Sequence, residues 1–305
     1  MDKILITGVG GFIGSHVARR FLQERWEVVG VDDLSNGKEK NIPAGVEWIR
    51  GDLSQKAILK SLPAGCLKIL HLAGQSSGEI SFDNPVADLE KNTISTLNLL
   101  HYAMKNKAER LVYASSMSVY GNVPDFPIPE THPCRPLSCY GVGKRASEFY
   151  LEIFGSRIPW VSLRMFNVYG PGQDLDNLRQ GMVSIYLAQA VRHGKVVVKG
   201  GLQRFRDFVF IDDVVECWFR AAMQPAVLGE MINVGTGVRT TVEELLGEIK
   251  KLVPTMSVEV LGNTPGDQQG IYADCQKMQN LLRHPSCTPL RAGLPKFLEW
   301  IQTQS

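Results

Sequence analysis

The sequence lacks any long apolar run. Among its 305 residues, no hydrophobic stretch approaches the ~20 residues that a membrane-spanning helix needs. The first residues pass directly from Ile4–Ile6 into glycine-rich sequence, without the long apolar stretch and small-residue cleavage site of a secretory signal. We therefore expect neither a membrane protein nor a secreted one.

A strong charge imbalance is also missing. The formal net charge is +2, and charged residues make up 21% of the chain. A chain this balanced predicts neither a basic groove for nucleic acid nor a basic patch for a membrane surface. Local basic pockets for a diphosphate remain compatible with this composition.

Cysteine is present but scattered. No C-x-x-C pair occurs, and the six histidines show no ligand spacing with the cysteines. This pattern predicts reduced thiols in a cytoplasmic enzyme, with no disulfide framework and no metal site. The six cysteines are Cys66, Cys134, Cys139, Cys217, Cys275 and Cys287.

The first half of the chain alternates short apolar segments with helical ones. Such alternation predicts a doubly wound parallel sheet, an α/β architecture in which right-handed crossovers place helices on both faces. The predicted strands are Lys3–Thr7, Glu27–Val31, Val46–Arg50, Lys68–Leu72, Arg110–Ser115 and Trp160–Arg164. The predicted helices are Gly14–Arg25, Asn84–Lys107 and Tyr140–Phe154.

The pattern changes after about residue 167, where Gly170-Pro171-Gly172 interrupts the chain. Shorter units with glycine and proline turns follow, which predicts a smaller lobe over residues 168–305 that closes on the domain of residues 1–167. Some of the later segments are expected to return to that first domain. The predicted elements are Met182–His193, Val196–Lys199, Asp207–Phe210, Val214–Met223 and Thr241–Leu252.

A glycine-rich turn lies between the first predicted strand and the first predicted helix. Gly8 permits the tight turn, Gly11 lets the backbone approach a pyrophosphate, and Gly14 lets helix and strand pack closely. The pyrophosphate then meets the free N–H groups at the helix N-terminus. A glycine-rich turn alone is weak evidence, but a strand before it and a helix after it indicate a Rossmann dinucleotide site.

An acidic residue follows the second strand, where such a site needs one. The Asp32 carboxylate can bind the ribose hydroxyls of the dinucleotide and would repel the 2′-phosphate of NADP, so NAD is the expected cofactor. A solvated loop acid is the alternative for Asp32. Asp52, just after the third strand, is placed to reach the adenine edge or to act as an ordinary turn residue.

Tyr140 and Lys144 are four residues apart and share one face of a predicted helix. An ammonium about 4 Å from the phenol is worth roughly 4 kcal/mol, enough to lower the tyrosine pKa from ~10 by about three. The positive nicotinamide ring of the expected cofactor would add to this effect, so Tyr140 is a candidate base near pH 7. The spacing alone more often marks a partly buried tyrosine beside a solvated lysine, so a partner is needed.

That partner is Ser116, at the C-terminal end of a predicted strand. In open α/β sheets ligands bind at that edge, and a hydroxyl there can bridge a substrate hydroxyl and the tyrosine. The alternative is a serine-rich strand end that only caps a turn.

Together these segments resemble the extended short-chain dehydrogenases/reductases that act on nucleotide sugars, especially the UDP-glucose 4-epimerase branch. The motifs are T-G-x-x-G-x-x-G, VDDLSNG, HLAG, S-S-x-S-V-Y-G, Y-x-x-x-K, R-x-F-N-x-Y-G-P and R-D-F-V. They extend over nearly the whole chain. The resemblance implies a catalytic set of Ser116, Tyr140 and Lys144, and a homodimer built through a four-helix bundle.

The resemblance also implies the binding residues. NAD contacts are expected from Gly8, Gly11, Phe12, Ile13, Gly14, Asp32, Asp33, Asn36, Asp52, Leu53, Leu72, Ala73, Gly74, Asn92, Tyr140 and Lys144. Substrate contacts are expected from Ser116, Tyr140, Asn167, Arg206, Asp267 and Ile271. Gln269 departs from the family, in which an arginine is common at that position, and a neutral amide binds phosphate less strongly.

The residues after Ser116 bear on the reaction. Related 4,6-dehydratases and decarboxylases carry a glutamate there, whereas this chain has Met117 and Ser118, which cannot act as carboxylate bases. A 4-epimerase needs no further acid, so epimerisation of a UDP-hexose is the leading prediction. Ile271 stands where a bulky tyrosine narrows the pocket of relatives, which predicts that UDP-GlcNAc and UDP-GalNAc fit.

Other activities remain open at this point. A UDP-glucuronate 4-epimerase, a 4-keto-sugar reductase and other enzymes that modify nucleotide sugars share the motifs. A non-enzymatic NAD-sensing module ranks lower, because such proteins tend to lose the tyrosine or lysine that this chain keeps.

Overall fold

A seven-stranded parallel sheet forms the centre of the molecule. A computed structural model of the chain describes residues 2–262, 269–284 and 286–304. The strand order is β11-β6-β5-β4-β1-β2-β3, and every neighbouring pair is parallel. These strands are β1 (Lys3–Thr7), β2 (Glu27–Asp32), β3 (Glu47–Arg50), β4 (Cys66–His71), β5 (Arg110–Ser116), β6 (Trp160–Met165) and β11 (Glu230–Val234).

Helices cover both faces of this sheet. On one face α1 packs against α6, and on the other α3 packs against α4. Each face has its own apolar cluster, one with Phe21 and Trp218 and the other with Leu99 and Leu151. These helices are α1 (Phe12–Gln23), α3 (Ser95–Lys105), α4 (Cys139–Phe154) and α6 (Ile211–Met223). The predicted doubly wound Rossmann fold is thereby confirmed.

The long helix predicted over Asn84–Lys107 is interrupted. It begins as α2 (Pro85–Leu89), continues as one π-helical turn (Glu90–Ile94), and then becomes α3. Asn84 caps α2 by accepting a hydrogen bond from the Ala87 N–H. Such π turns often occur at functional sites.

The smaller lobe consists of short sheets and helices. Its strands pair as β7 with β10, as β12-β9-β14, and as β8 with β13. The strands are β7 (Asn167–Tyr169), β8 (Lys195–Lys199), β9 (Phe205–Arg206), β10 (Phe208–Phe210), β12 (Thr240–Thr241), β13 (Ser257–Leu261) and β14 (Gly270–Ile271). The helices are α5 (Met182–His193), α7 (Val242–Leu252), α8 (Gln276–Leu281) and α9 (Leu290–Gln302).

Short 3₁₀ turns occur in the connections. Their bounds are Glu39–Asn41, Lys56–Lys60, Ile80–Phe82, Met117–Val119 and Pro225–Val227.

The chain crosses between the two regions more than once. After β10 it forms α6 on the large sheet and then β11, which pairs with β6 at the edge of that sheet. A boundary at residue 167 therefore divides the sequence without dividing the sheet. Among the described residues, no helix is long and apolar enough to cross a membrane.

Candidate active site

A cavity of about 810 Å³ lies at the carboxyl ends of the central strands. Parallel strands end together at this edge, so loops that are distant in sequence meet there. Most of the residues predicted for the site line this cavity. For the cofactor they are Gly8, Gly11, Phe12, Ile13, Gly14, Asp32, Asp33, Asn36, Asp52, Leu53, Leu72, Ala73 and Gly74, and for chemistry and substrate they are Ser116, Tyr140, Lys144, Asn167 and Arg206.

The glycine-rich turn has the close contacts that only glycine permits. Gly8 adopts a φ of +72°, and a Cβ there would lie 2.8 Å from the Ala73 nitrogen. A Cβ on Gly14 would lie 2.0 Å from the Gly8 carbonyl oxygen. The turn thus brings the first residues of α1 directly against β1 and β4, which leaves the start of α1 facing the cavity.

Asp32 organises the same turn. Its Oδ2 accepts the Gly10 N–H at 2.9 Å and its Oδ1 accepts the Leu34 N–H at 2.8 Å. Burial raises its pKa, although these backbone hydrogen bonds act in the opposite direction. A carboxylate has about four acceptor positions, so it can also accept ribose hydroxyls.

Lys91 is a charged residue of the site that the sequence did not reveal. It lies on the π turn, and its ammonium contacts the carboxylates of Asp33 and Asp52, the latter at 2.8 Å. Burial alone would raise the pKa of both acids, but the hydrogen bonds from Lys91 and nearby serines lower it. The side chains of Lys91, Asp33 and Asp52 all line the cavity. This ion cluster therefore forms the part of the cavity wall next to the ends of β2 and β3.

Ser116, Tyr140 and Lys144 come from two elements that meet at the cavity. Ser116 ends β5, and its Oγ lies 3.2 Å from the Ser118 Oγ. Ser138 caps α4 by accepting the Gly141 N–H at 3.1 Å, which starts the helix one residue before Tyr140. The Lys144 ammonium lies 5.5 Å from the centre of the Tyr140 ring.

The pKa of Tyr140 differs from the sequence-based expectation. Burial raises it to about 12, while the hydrogen bond with Ser116 lowers it and the charge of Asp88 raises it. Burial also lowers the pKa of Lys144 to about 8. Burial thus opposes the lowering expected from Lys144, because removal from water disfavours the charged phenolate.

A buried ion pair holds α4 against the sheet beneath this site. The Glu148 carboxylate receives two hydrogen bonds from Arg164 of β6, each at 2.8 Å. It also accepts the hydroxyl of Ser115 at 2.7 Å, beside Ser116, and the Arg145 guanidinium at 2.9 Å. Glu148 lies four residues after Lys144, so the pair fixes the helix that carries the proposed catalytic side chains.

Asn92 lies behind the cavity wall and is not among its lining residues. It is 1% exposed, and its Nδ2 donates to the Asp88 carboxylate at 3.1 Å. Its side chain passes so close to Gly74 that a Cβ there would lie 2.5 Å from the Asn92 Oδ1. Asn92 therefore supports the cavity wall near Gly74 and Lys144. This geometry does not favour the predicted direct contact between Asn92 and NAD.

The predicted substrate residues divide into three groups. Asn167 and Arg206 line the cavity, where Asn167 donates to the Asp207 carbonyl at 3.1 Å and Arg206 to the Phe205 carbonyl at 2.7 Å. Ile271 is 2% exposed, packs in the apolar core and does not line the cavity. Asp267 lies outside the described residues.

Two loops meet across the cavity through polar contacts. Gln180 donates to the Ser76 carbonyl at 2.9 Å, and Arg179 donates to Glu79 at 2.8 Å and to Asp83 at 2.6 Å. These contacts join the segment before α5 to the segment after β4. Residues of both segments line the cavity, so these contacts tie two parts of its wall together.

A glycine-rich dinucleotide turn and a Ser-Tyr-Lys set in one cavity define an enzyme of the short-chain dehydrogenase/reductase class. The model of the NAD dependent epimerase/dehydratase family matches residues 4–235. The chain belongs to this family.

Individual relatives match along nearly the whole chain. UDP-glucose 4-epimerase from Mycolicibacterium smegmatis is 33% identical over 315 residues, covering 99% of each chain. UDP-glucuronic acid decarboxylase 3 from Arabidopsis thaliana is 32% identical over 306 residues, covering 97% of this chain and 88% of the relative. The crystal structure of UDP-glucose 4-epimerase from Thermotoga maritima with UDP-glucose superimposes with a TM-score of 0.94 at 31% identity, covering 99% of both chains.

Proposed function

We propose that this chain is an NAD-dependent enzyme that inverts the C4 hydroxyl of a UDP-hexose. One observation carries the proposal: Ser116, Tyr140 and Lys144 share a cavity with the glycine-rich turn, and neither of the two residues directly after Ser116 is a carboxylate. The relatives named as UDP-glucose 4-epimerases support the same activity.

The residues that would hold NAD fit it by their chemistry. The start of α1 offers N–H groups to a pyrophosphate, and Asp32 offers carboxylate oxygens to a ribose. NAD, when bound, supplies the hydride acceptor and donor at its positively charged nicotinamide ring. Asp32 at this position favours NAD over NADP, because a 2′-phosphate would face a carboxylate.

In this proposal the protein residues move the proton. Tyr140 takes the proton of the sugar C4 hydroxyl while that carbon is oxidised, and Ser116 holds the same oxygen by a hydrogen bond. The resulting 4-keto sugar rotates about its linkage to the diphosphate and presents its other face. Tyr140 then returns the proton as C4 is reduced, so the reaction has no net redox change.

The raised pKa of Tyr140 means that its action as a base requires positive charge near the phenol. With a pKa of about 12, Tyr140 holds little phenolate at neutral pH. A positive charge near the phenol favours the phenolate, and in a buried site that effect is stronger than in water. The Lys144 ammonium and the cationic nicotinamide ring are the two groups that would supply it.

Loss of water or carbon dioxide from the sugar would need a further acid or base. Met117 and Ser118 line the cavity directly after Ser116, and neither is a carboxylate. The chain is 32% identical to a UDP-glucuronic acid decarboxylase, but the residues after Ser116 disfavour a decarboxylation step here. A UDP-glucuronate 4-epimerase and a 4-keto-sugar reductase remain the alternative activities.

Arg206 is the proposed diphosphate contact. It lines the cavity from β9, and a guanidinium suits phosphate oxygens. Gln269 is exposed and donates to the Gln203 carbonyl at 3.2 Å, which orients its amide towards the backbone of the neighbouring hairpin. In this proposal Arg206 is therefore the main cation for the diphosphate.

The substrate range is proposed to include N-acetylhexosamines. The sequence argument rested on Ile271, which is buried in the core instead of exposed to the cavity. What supports the proposal is the likeness to UDP-N-acetylglucosamine 4-epimerase from Methanobrevibacter ruminantium M1, which superimposes with a TM-score of 0.92 at 26% identity. UDP-GlcNAc is thus tested together with UDP-glucose.

The activity test uses purified protein with UDP-glucose, UDP-GlcNAc or UDP-glucuronate and no added reductant. Products are separated by chromatography and identified by NMR, with Tyr140→Phe as the matched inactive variant. Conversion to the galacto epimer without release of NADH is the expected result and ranks the sugars. A pentose or dehydrated product, or conversion only when reductant is supplied, would overturn the proposal.

A homodimer is also proposed, because two adjacent helices present apolar side chains to solvent. Val86 and Leu89 on α2 are 66% and 46% exposed, and Phe149 and Ile153 on α4 are 49% and 68% exposed. α2 packs against α4, so these side chains lie on neighbouring helices, and two such pairs make a four-helix bundle.

Light scattering after size-exclusion chromatography tests this interface. Ile153→Glu is expected to give monomers, whereas Val238→Glu, at a residue 57% exposed away from these helices, is expected to leave dimers. A monomeric wild-type chain would exclude the interface.

All six cysteines are free thiols, which supports the further proposal of a reducing, cytoplasmic location.

A further inference from the structure

Three metal-ligating side chains meet outside the active-site cavity. Asp213 lies in the first turn of α6, and His284 and Cys287 lie between α8 and α9. One ligand atom from each of the three lies within 4.8 Å of the others. Asp213 and His284 are each 8% exposed and Cys287 is half-buried, so the cluster is largely shielded from water.

The separation of these atoms suits a tetrahedral metal ion. The His284 Nε2 lies 3.3 Å from the Asp213 Oδ1, which is longer than the 2.7–3.2 Å usual for an N–H···O hydrogen bond. Zinc bound to nitrogen and oxygen at about 2.0–2.2 Å places two tetrahedral ligands about 3.3–3.5 Å apart. The pair is thus already at the ligand-to-ligand distance of a zinc site.

The ligand types indicate which metal. Imidazole, thiolate and carboxylate together suit Zn²⁺, whereas Mg²⁺ and Ca²⁺ prefer oxygen ligands only. Among the described residues the cluster holds these three side chains and no fourth, so the fourth coordination position is left to water.

A backbone contact already holds one of the ligands in place. The second Asp213 oxygen, Oδ2, accepts the Thr288 N–H at 2.8 Å. The Cys287 thiol donates to the Gly235 carbonyl at 3.4 Å, a hydrogen bond that it gives up when it binds a metal as the thiolate. The Oδ1 atom is left to face His284. Contacts of this kind orient the ligands of metal sites.

We propose that Asp213, His284 and Cys287 bind one zinc ion, which fastens the segment between α8 and α9 to α6. This segment leads into α9, and Trp300 at the end of that helix lines the active-site cavity. The ion has a structural role, since the cluster does not line the cavity. This site depends on residues 71 positions apart, which is why ligand spacing along the sequence did not reveal it.

The test measures metal content and needs no substrate. Protein loaded with zinc and dialysed against metal-free buffer is analysed by mass spectrometry. The bound zinc is then replaced by cobalt, and the absorption spectrum is recorded. We expect one equivalent of zinc per chain and a thiolate-to-cobalt absorption band. Circular dichroism confirms that each variant is folded.

Variants assign the ligands. His284→Gln and Cys287→Ser are expected to weaken zinc affinity by more than the roughly 10–100-fold that loss of a supporting residue costs. Cys134→Ser is the matched control, because Cys134 is also half-buried but lies outside the cluster.

Two results would overturn the site. One is a wild-type chain that keeps no zinc after loading, and the other is a folded Cys287→Ser variant that binds zinc as tightly as wild type. Because zinc content is measured directly, failure of this site is distinguishable from failure of the proposed epimerase activity.

Discussion

The Glu148–Arg164 pair offers the sharpest test of how the active-site helix is held. Glu148 is 0% exposed and Arg164 is 1% exposed, and two hydrogen bonds of 2.8 Å join them. Glu148→Gln removes the negative charge but keeps the shape. It leaves the Arg164 guanidinium buried without its counter-charge and turns an amide N–H₂ towards other donors.

The expected cost follows from that unpaired charge. Removing one partner of a buried ion pair typically costs about 3–5 kcal/mol of unfolding free energy, which corresponds to a fall in melting temperature of roughly 5–8 °C for a chain of this size. Glu152→Gln is the matched control on the same helix. Its side chain is 42% exposed and 3.4 Å from Arg145, so a change within about 0.5 kcal/mol is expected.

Urea unfolding at pH 7 measures both variants against wild type. The midpoint of Glu148→Gln should fall while the slope of free energy against denaturant stays constant. A loss below about 1 kcal/mol in Glu148→Gln, or an equal loss in Glu152→Gln, would refute the reasoning.

The pH dependence gives a second reading of the same pair. Burial alone would raise the pKa of Glu148, but the hydrogen bonds and charge of Arg164 lower it below its ordinary value. A carboxyl with a lowered folded-state pKa contributes stability above its unfolded value of about 4.3 and loses it as pH falls through the folded value. The difference between wild type and Glu148→Gln should therefore stay level near neutrality and shrink below about pH 4.

Three further predictions concern the cavity. Tyr140→Phe should lower kcat by about 10²–10⁴-fold while bound NAD, measured after denaturation, is unchanged. Loss of NAD in that variant would assign the tyrosine to binding. Gly14→Ala places a Cβ 2.0 Å from the Gly8 carbonyl oxygen, so we expect it to reduce the NAD content. Gly247→Ala on α7 is the control, because a Cβ there meets nothing within 4 Å. It should raise the stability by about 0.5–1 kcal/mol and retain NAD. Arg206→Gln should raise KM for the UDP-sugar by about 10–100-fold, because a hydrogen bond to a charged group contributes about 1.5–3 kcal/mol of binding free energy. An equal fall in kcat with unchanged KM would contradict a contact made in the ground state.

Local pattern was enough to locate most of the Rossmann sheet. The strand predicted at Lys3–Thr7 has those bounds, and the strand predicted at Trp160–Arg164 ends one residue later at Met165. Buried parallel strands are continuous apolar runs flanked by turns, so their signal is contained in a few neighbouring residues. The same holds for the glycine-rich turn, whose roles depend on backbone space next to β1.

Properties that depend on distant partners could not be predicted in the same way. Lys91 joins Asp33 and Asp52, which lie 58 and 39 residues away. The pKa of Tyr140 depends on how deeply α4 packs, and spacing to Lys144 carries no information on burial. In both cases the deciding contact forms only when the sheet brings separate crossovers together.

Two other features depended on three-dimensional context. The π turn at Glu90–Ile94 replaces one turn of a helix whose apolar periodicity looked continuous, and it is this turn that carries Lys91. Ile271 was placed at the sugar pocket by counting along the chain, yet its strand β14 turns the side chain into the core.

The position of β11 has a consequence for synthesis on the ribosome. Strand β6 is complete at Met165, but its outer edge stays unpaired until residues 230–234 have emerged. At the usual 5–20 residues per second this interval lasts on the order of 3–14 s, during which an apolar edge strand is open to pairing with another nascent chain. The intervening residues must therefore be made while the sheet is unfinished, and a slow stretch of translation between residues 166 and 234 would lengthen the period in which this edge is open.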